Sequence, residues 1–290
     1  MKKYKIGYTT GVFDMFHIGH LNILRRAKEQ CDYLVVGVTT DELCQKRKNK
    51  TPIINEHDRM AIVEAIRYVD KVVPQTDMEK IKPVRELGAD VVFVGSDWKG
   101  TDAWNQYEKD FASVNCEVVY LDHTDGISST LLREIISSNS KSNLGNENGG
   151  GGQIIDNHIV GYTTGVFDMF HIGHLNILRR AKERCSYLIV GVSTDENVQS
   201  YKNKTPIVPF EERAAIISAI RYVDQVVPQE NMDKFAAWER LHFNEIYHGD
   251  DWKGSKMYDE VERKLSSVGC KMVFLSHTEG ISSTMLRKLI

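Results

Sequence analysis

The sequence predicts two tandem α/β domains, each a doubly wound parallel sheet. Three observations carry this expectation. The stretch GYTTGVFDMFHIGHLNILRRAKE occurs at Gly7–Glu29 and again, without a change, at Gly161–Glu183. Within each copy short β-rich runs alternate with segments of helical period. Between the copies lies SSNSKSNLGNENGGGGQ, polar and glycine-rich, which has the composition of a flexible tether.

The runs of the first copy follow in order. IGYTTGVF, YLVVGVT, KVVP, VVFVG and EVVYL are short and rich in β-branched residues, as buried parallel strands are. Between them HLNILRRAKEQ, EHDRMAIVEAIRYV, MEKIKPVREL and WNQYEKDFASV place apolar residues at helical spacing. A last helix is expected from Ser128 through Ile136. Strand–helix alternation of this kind gives a Rossmann-like sheet, whose ligands bind beyond the carboxyl ends of its strands. An offset of 154 carries His17 to His171, Lys50 to Lys204, Arg59 to Arg213 and Trp98 to Trp252. It also carries RYVD at Arg67–Asp70 to Arg221–Asp224, and GISST at Gly126–Thr130 to Gly280–Thr284, with no insertion. A period that long means two whole domains rather than a solenoid. The expected boundaries are 1–137, a linker over 138–157, and 158–290. A tether of about 16 residues reaches roughly 22 Å, enough for an intramolecular pseudo-dimer of the two repeats.

Composition narrows the function. A chain of 290 residues with 41% apolar and 27% charged residues is globular. Its net charge of −3 supplies no basic field for a nucleic acid polymer. No apolar run is long enough for membrane insertion, and the basic start lacks the apolar core of a signal peptide. The five cysteines show no CxxC spacing, and Cys31 and Cys116 recur as Cys185 and Cys270. They are expected to be reduced packing residues in a cytoplasmic protein.

The chemistry concentrates at GVFDMFHIGH. His17 and His20, like His171 and His174, stand three residues apart at a helix start, so their rings share a face. Gly11 is expected to allow a tight turn, and Gly19 a close ligand approach. A helix start offers free amides to a phosphate, and imidazoles beside it donate to oxygens that gain charge. The spacing also fits hydrogen-bonded core histidines. A metal site is a weaker reading, because no third His or Cys ligand lies at useful spacing.

GVFDMFHIGH, RYVD, GSDW or GDDW, and TDGISST or TEGISST, in that order, resemble the HxGH nucleotidyltransferases, and within them the glycerol-3-phosphate cytidylyltransferase group. The resemblance covers about 130 residues of each copy. It implies the HxGH nucleotidyltransferase fold, with Thr10, Gly11, Val12 and Phe13, and in the second copy Thr164, Gly165, Val166 and Phe167, beside the nucleotide. It implies that His17, His20, His171 and His174 hold the triphosphate and stabilise the transition state, while Asp14 and Asp168 support the turn before them. Lys50 and Lys204 match a lysine that reaches the phosphates; Lys48 and Lys202 stand nearby. Arg59 and Arg213 match an arginine near the acceptor phosphate and the dimer contact, with an exposed ion pair as the local alternative. Asp97 and Asp251 match a ligand-contacting corner, where Trp98 and Trp252 are read as packing. Ser128, Ser129 and Thr130, with Ser282, Ser283 and Thr284, match the hydroxyl-bearing helix start that faces the histidines; an ordinary N-cap is the local alternative. The group usually carries arginine where this chain has His123 and His277, and a neutral histidine grips phosphate less firmly.

The activity so implied joins CMP from CTP to a small phosphorylated alcohol by in-line attack and releases pyrophosphate. Glycerol 3-phosphate, giving CDP-glycerol, is the first expected acceptor. Mg²⁺ is implied by the triphosphate, with no dedicated metal ligands in the chain. An adenylyltransferase using ATP, or a non-catalytic nucleotide-binding protein, are the alternatives of the same fold.

Overall fold

The computed structural model describes residues 2–49, 51–122, 159–276, 278 and 281–287. The chain divides into two compact units, one for each copy.

In the first unit β1 (Tyr4–Gly11) leads into α1 (Ile18–Gln30), β2 (Cys31–Thr39), α2 (Asp41–Lys48) and α3 (Glu56–Glu64). Then come β3 (Lys71–Gln75), α4 (Ile81–Leu87), β4 (Val91–Gly95), α5 (Asp102–Ala112) and β5 (Glu117–Leu121). All strand pairs are parallel, in the order β3-β2-β1-β4-β5. The order reverses between β1 and β4, which sets a crevice at their carboxyl ends. Pro74 lies in β3, at the sheet edge, where a missing N–H breaks no ladder.

The second unit repeats this plan. It contains β6 (Val160–Gly165), α6 (Ile172–Lys182), β7 (Tyr187–Ser193), α7 (Asp195–Lys202), α8 (Phe210–Ser218) and β8 (Gln225–Gln229). It continues with α9 (Lys234–Leu241), β9 (Glu245–Gly249), α10 (Lys256–Ser266), β10 (Lys271–Leu275) and a short α11 (Ser283–Leu286). Its sheet runs β8-β7-β6-β9-β10, again all parallel.

The predicted strands are all present, with β1 ending at Gly11 rather than Phe13. The helix α2 and its counterpart α7 were not anticipated, because their sequences are polar and lack a clear apolar stripe. Each is set by its ends instead. Thr40 and Thr194 accept from Leu43 and Asn197 at the N-termini, and Asn49 and Asn203 close the C-termini with φ of 49°. The predicted final helix of the first copy, Ser128–Ile136, lies outside the described residues.

The RYVD motif proves to be a joint of the fold. Asp70 Oδ2 accepts from the Leu34 backbone at 2.6 Å and from Lys28 Nζ at 2.5 Å, fixing the run into β2. Asp224 does the same with Leu188 and Lys182, at 2.7 and 2.6 Å. All five cysteines are free and buried, as packing residues should be. Among the described residues no helix is long and apolar enough to cross a membrane.

Candidate active site

The backbone between β1 and α1 is bent by residues that seldom bend. Phe13 and Met15 have φ of 56° and 48°, and Phe167 and Met169 have 54° and 52°. Left-handed backbone at a non-glycine costs of order 1 kcal/mol or more, and it persists where packing holds it. Phe13 and Phe167 are buried, which supplies that hold. The expectation that Gly11 makes the turn is therefore corrected. Its φ is not left-handed; a Cβ there would meet the Phe13 ring at 3.0 Å, so the glycine makes room for the buried phenyl.

Gly19 is corrected in the same way. His17 caps α1, its Nδ1 accepting from the Gly19 N–H at 3.1 Å, and the ring folds back over that residue. A Cβ on Gly19 would stand 2.9 Å from the His17 ring, so the histidine takes the space expected for ligand. His171 and Gly173 repeat the arrangement at 3.1 Å. An Nδ1 that accepts an N–H leaves the ring proton on Nε2, which is then the donor atom.

The paired rings are stacked. Centroids of His17 and His20 lie 3.8 Å apart, as do those of His171 and His174. Burial pushes His20 down to about 3 and His174 well below the ordinary histidine value, with the neighbouring ring adding to it. Both therefore act near pH 7 as neutral hydrogen-bond groups. The Nδ1 atoms of His20 and His174 have no hydrogen-bond partner among the described residues.

Asp14 and Asp168 support the turn as expected. Asp14 accepts from the Ile53 and Ile54 backbones at 2.8 and 2.9 Å. Asp168 accepts from Ile207 and Val208 at 3.1 and 2.9 Å, and from Arg287 at 2.6 Å. Each carboxylate thus ties the loop before α3 or α8 to the histidine segment.

Arg59 and Arg213 take a different place from the expected acceptor-phosphate contact. Both are only 1% exposed. Arg59 donates to the carbonyls of Ile54 and Val12 and to Asp41, the last at 2.6 Å. Arg213 donates to Val208, Val166 and Ser193 carbonyls and to Asp195. A guanidinium so surrounded by protein acceptors fixes the loops; the ion pair exists, but it is buried on the arginine side.

In the second unit these pieces enclose a cleft of about 550 Å³ at the carboxyl end of the sheet. Thr164, Gly165, Val166 and Phe167 line it, with His171, His174, Asp251, Ser282, Ser283 and Thr284. Ser283 Oγ donates to the Asp168 carbonyl at 2.9 Å and lies 3.3 Å from His171 Nε2. Ser282 Oγ is occupied by the Met285 N–H at 3.2 Å, the plain N-cap role. Asp251 folds back over Gly249, where a Cβ would stand 2.5 Å from its carboxylate; Asp97 does so over Gly95.

Lys204 is exposed and is not part of the cleft wall, whereas Lys202, two positions earlier, is. Trp98 is 48% exposed, so its reading as a packing residue is corrected; it closes the short 3-10 turn Ser96–Trp98 beyond β4. Lys50, His123, Ser128, Ser129, Thr130 and His277 lie outside the described residues, as does the side chain of Trp252.

The sequence reading passed over two buried lysines. Lys234, 4% exposed, lines the cleft and donates to Thr164 Oγ1 at 3.0 Å. Lys80 donates to Thr10 Oγ1 at 3.1 Å. Among the described residues neither has a carboxylate in ion-pair contact, and Asp233 is occupied in capping α9. Burial pushes both lysines down to about 8. A buried cation without a counter-charge beside a cleft, as Lys234 is, marks a place for an anion. The recurrence of both lysines at an offset of 154 was the available signal.

Residues 8–135 and 162–289 match the Cytidylyltransferase-like family. Ethanolamine-phosphate cytidylyltransferase of Dictyostelium discoideum is 31% identical, over 98% of this chain and 89% of its own. A probable ethanolamine-phosphate cytidylyltransferase of Encephalitozoon cuniculi is 32% identical, over 76% and 74%. Glycerol-3-phosphate cytidylyltransferase of Bacillus subtilis is 42% identical, over 44% of this chain and 95% of its own. With stacked imidazoles, a facing serine and the family match in both halves, the chain belongs to the cytidylyltransferase-like family, as a cytidylyltransferase in which the family domain occurs twice.

Proposed function

We propose that the protein transfers CMP from CTP to the phosphate of a small phosphorylated alcohol, with ethanolamine phosphate as the leading acceptor. The observation that carries this reading is the second-unit cleft, where neutral stacked imidazoles and a buried, unpaired lysine share one cavity.

An oxygen of the acceptor phosphate attacks the α-phosphorus. The new phosphorus–oxygen bond forms as the bond to the β-phosphate oxygen breaks, and pyrophosphate leaves with the electron pair. The nucleophile is already an oxyanion, so the chain needs no general base. The Nε2–H of His171 donates to an oxygen that gains charge, and His174 stands against it. Lys234 holds the acceptor phosphate, and Lys202 is available to the departing pyrophosphate. Mg²⁺ carried by the triphosphate would shield its charge; no group of three His, Cys, Asp or Glu side chains suited to a metal occurs among the described residues.

Sequence resemblance pointed first to glycerol 3-phosphate. Relatives sharing both halves of the chain support ethanolamine phosphate instead, while a relative matching one half supports glycerol 3-phosphate. Pyrophosphate release decides: CTP with ethanolamine phosphate should turn over fastest, and ATP slowly. Turnover with ATP alone, or none with any phosphorylated alcohol, rejects the reading.

A further inference from the structure

Each unit has a cavity at the outer edge of its sheet, between the edge strand and the helix that follows it. In the first unit it measures about 380 Å³, with Tyr8, Val73, Pro74, Pro83 and Leu87 in its wall. In the second it shrinks to about 120 Å³, lined by the counterparts Tyr162 and Ala237. The helices account for the difference. Where α4 has Ile81 and Val84, α9 has Phe235 and Trp238, whose rings pack against the core around Val227. Larger side chains there fill the space that the first unit leaves open. Of the residues around the first cavity only Gln75 has its counterpart, Gln229, in the wall of the second-unit cleft, so this cavity is distinct from the cleft.

The charges around the two cavities are exchanged. In the second unit Arg240 reaches across the wall to the Pro228 carbonyl at 3.5 Å, and its charge offsets part of the rise that burial imposes on the Tyr162 phenol. The matching position in α4 is Glu86, and Asn231 is matched by Asp77. Tyr8 is 2% exposed, and its hydroxyl has no hydrogen-bond partner among the described residues. That oxygen is not sealed off as the unpartnered Nδ1 of His20 is; it opens on the cavity. Burial, with the Asp77 charge adding to it, pushes the phenol up to about 12, so it stays neutral. Asp77, Glu79 and Glu86 share the mouth with Lys71 and Lys82, and none of the five forms an ion pair among the described residues. The first unit thus lacks the internal cation, keeps the phenol oxygen and places carboxylates where the cation and its amide neighbour stand in the second.

We propose that the first-unit edge cavity binds a small organic cation, a guanidinium or alkylammonium on an apolar stem, whose head takes the place that Arg240 fills in the second unit. The head donates to Tyr8 Oη and to the carboxylates of Asp77 and Glu86, and the stem lies against Val73, Pro74 and Leu87. The volume is that of a small-molecule site. Binding there is independent of the transfer reaction proposed above.

The test titrates the full chain with propylguanidinium, which is the arginine side chain by itself, and follows the heat of binding. Neutral propylurea and anionic butyrate serve as comparisons. Saturable binding of propylguanidinium is expected, at least tenfold tighter than that of either comparison. Asp77→Asn with Glu86→Arg, which installs the second unit's residues, should weaken it at least tenfold with circular dichroism unchanged. Tyr8→Phe keeps the buried ring, removes only the hydroxyl, and should weaken binding about threefold. No binding to the unmodified chain overturns the proposal, as does propylurea or butyrate binding as tightly as the cation. Undiminished binding by the folded double variant overturns it as well.

Discussion

Ser283 Oγ lies 3.3 Å from His171 Nε2, while the other ring nitrogen, Nδ1, accepts the Gly173 N–H at 3.1 Å. The imidazole is thereby held in one tautomer, with its proton facing a hydroxyl across the cleft. A phosphoryl oxygen that takes the serine's place beside Nε2 meets an imidazole donor already oriented by the Gly173 N–H.

Loss of the histidine donors should therefore remove turnover. His17→Ala with His171→Ala is expected to lower kcat by about 10³ or more, with far-UV circular dichroism unchanged. Either single variant should keep roughly half the total rate if the halves work independently. Complete loss from one single variant would assign the reaction to that half.

Lys234→Ala with Lys80→Ala should raise the acceptor KM at least tenfold and leave the CTP KM near its normal value. The lysine is charged below about 8 and neutral above it. Accordingly kcat/KM for the acceptor should fall as pH rises through 8, since that ratio reports the free enzyme. A profile flat to pH 10 would remove the lysines from acceptor binding.

Arg213 should act on stability. Arg213→Met leaves Asp195 and three carbonyls without their buried donor, so urea unfolding should show a loss of about 3–5 kcal/mol. Where the variant remains folded, its acceptor KM should stay within about twofold. A large KM change in a stable protein would return the arginine to the acceptor site.

Acid should destabilise the second unit through its buried histidines. His248 is pushed to about 3 by burial, with the Lys234 charge adding to it, against an ordinary value of 6.5. Between these values the unfolded chain binds the proton that the folded one refuses, so stability falls as pH drops from 6.5 toward 3. His248→Val should flatten that fall in melting temperature measured from pH 7 to 4. An identical slope would show that His248 does not contribute.

Much of this was legible in the chain. Strand-length β-rich runs between helical periods fixed the parallel sheets, because burial on both faces demands such runs. The unchanged repeat gave two domains, and the HxGH segment gave the reacting end of the site. Helix α2 escaped because its caps, not its apolar pattern, define it. Arg59 was misplaced because sequence shows a charge but not the carbonyls of Ile54 and Val12 that surround it.

By itself, then, the sequence determined the repeated fold, the paired imidazoles and the serine that faces them, since these depend on period and on residue type at fixed spacing. Only the tertiary structure decided which charges are available. Lys234 and Lys202 meet at the cleft from separate segments of the second unit, while Arg213 is enclosed and Lys204 stands outside. Charge is written in the residue, but whether a ligand can use it depends on burial and on neighbours distant in the chain.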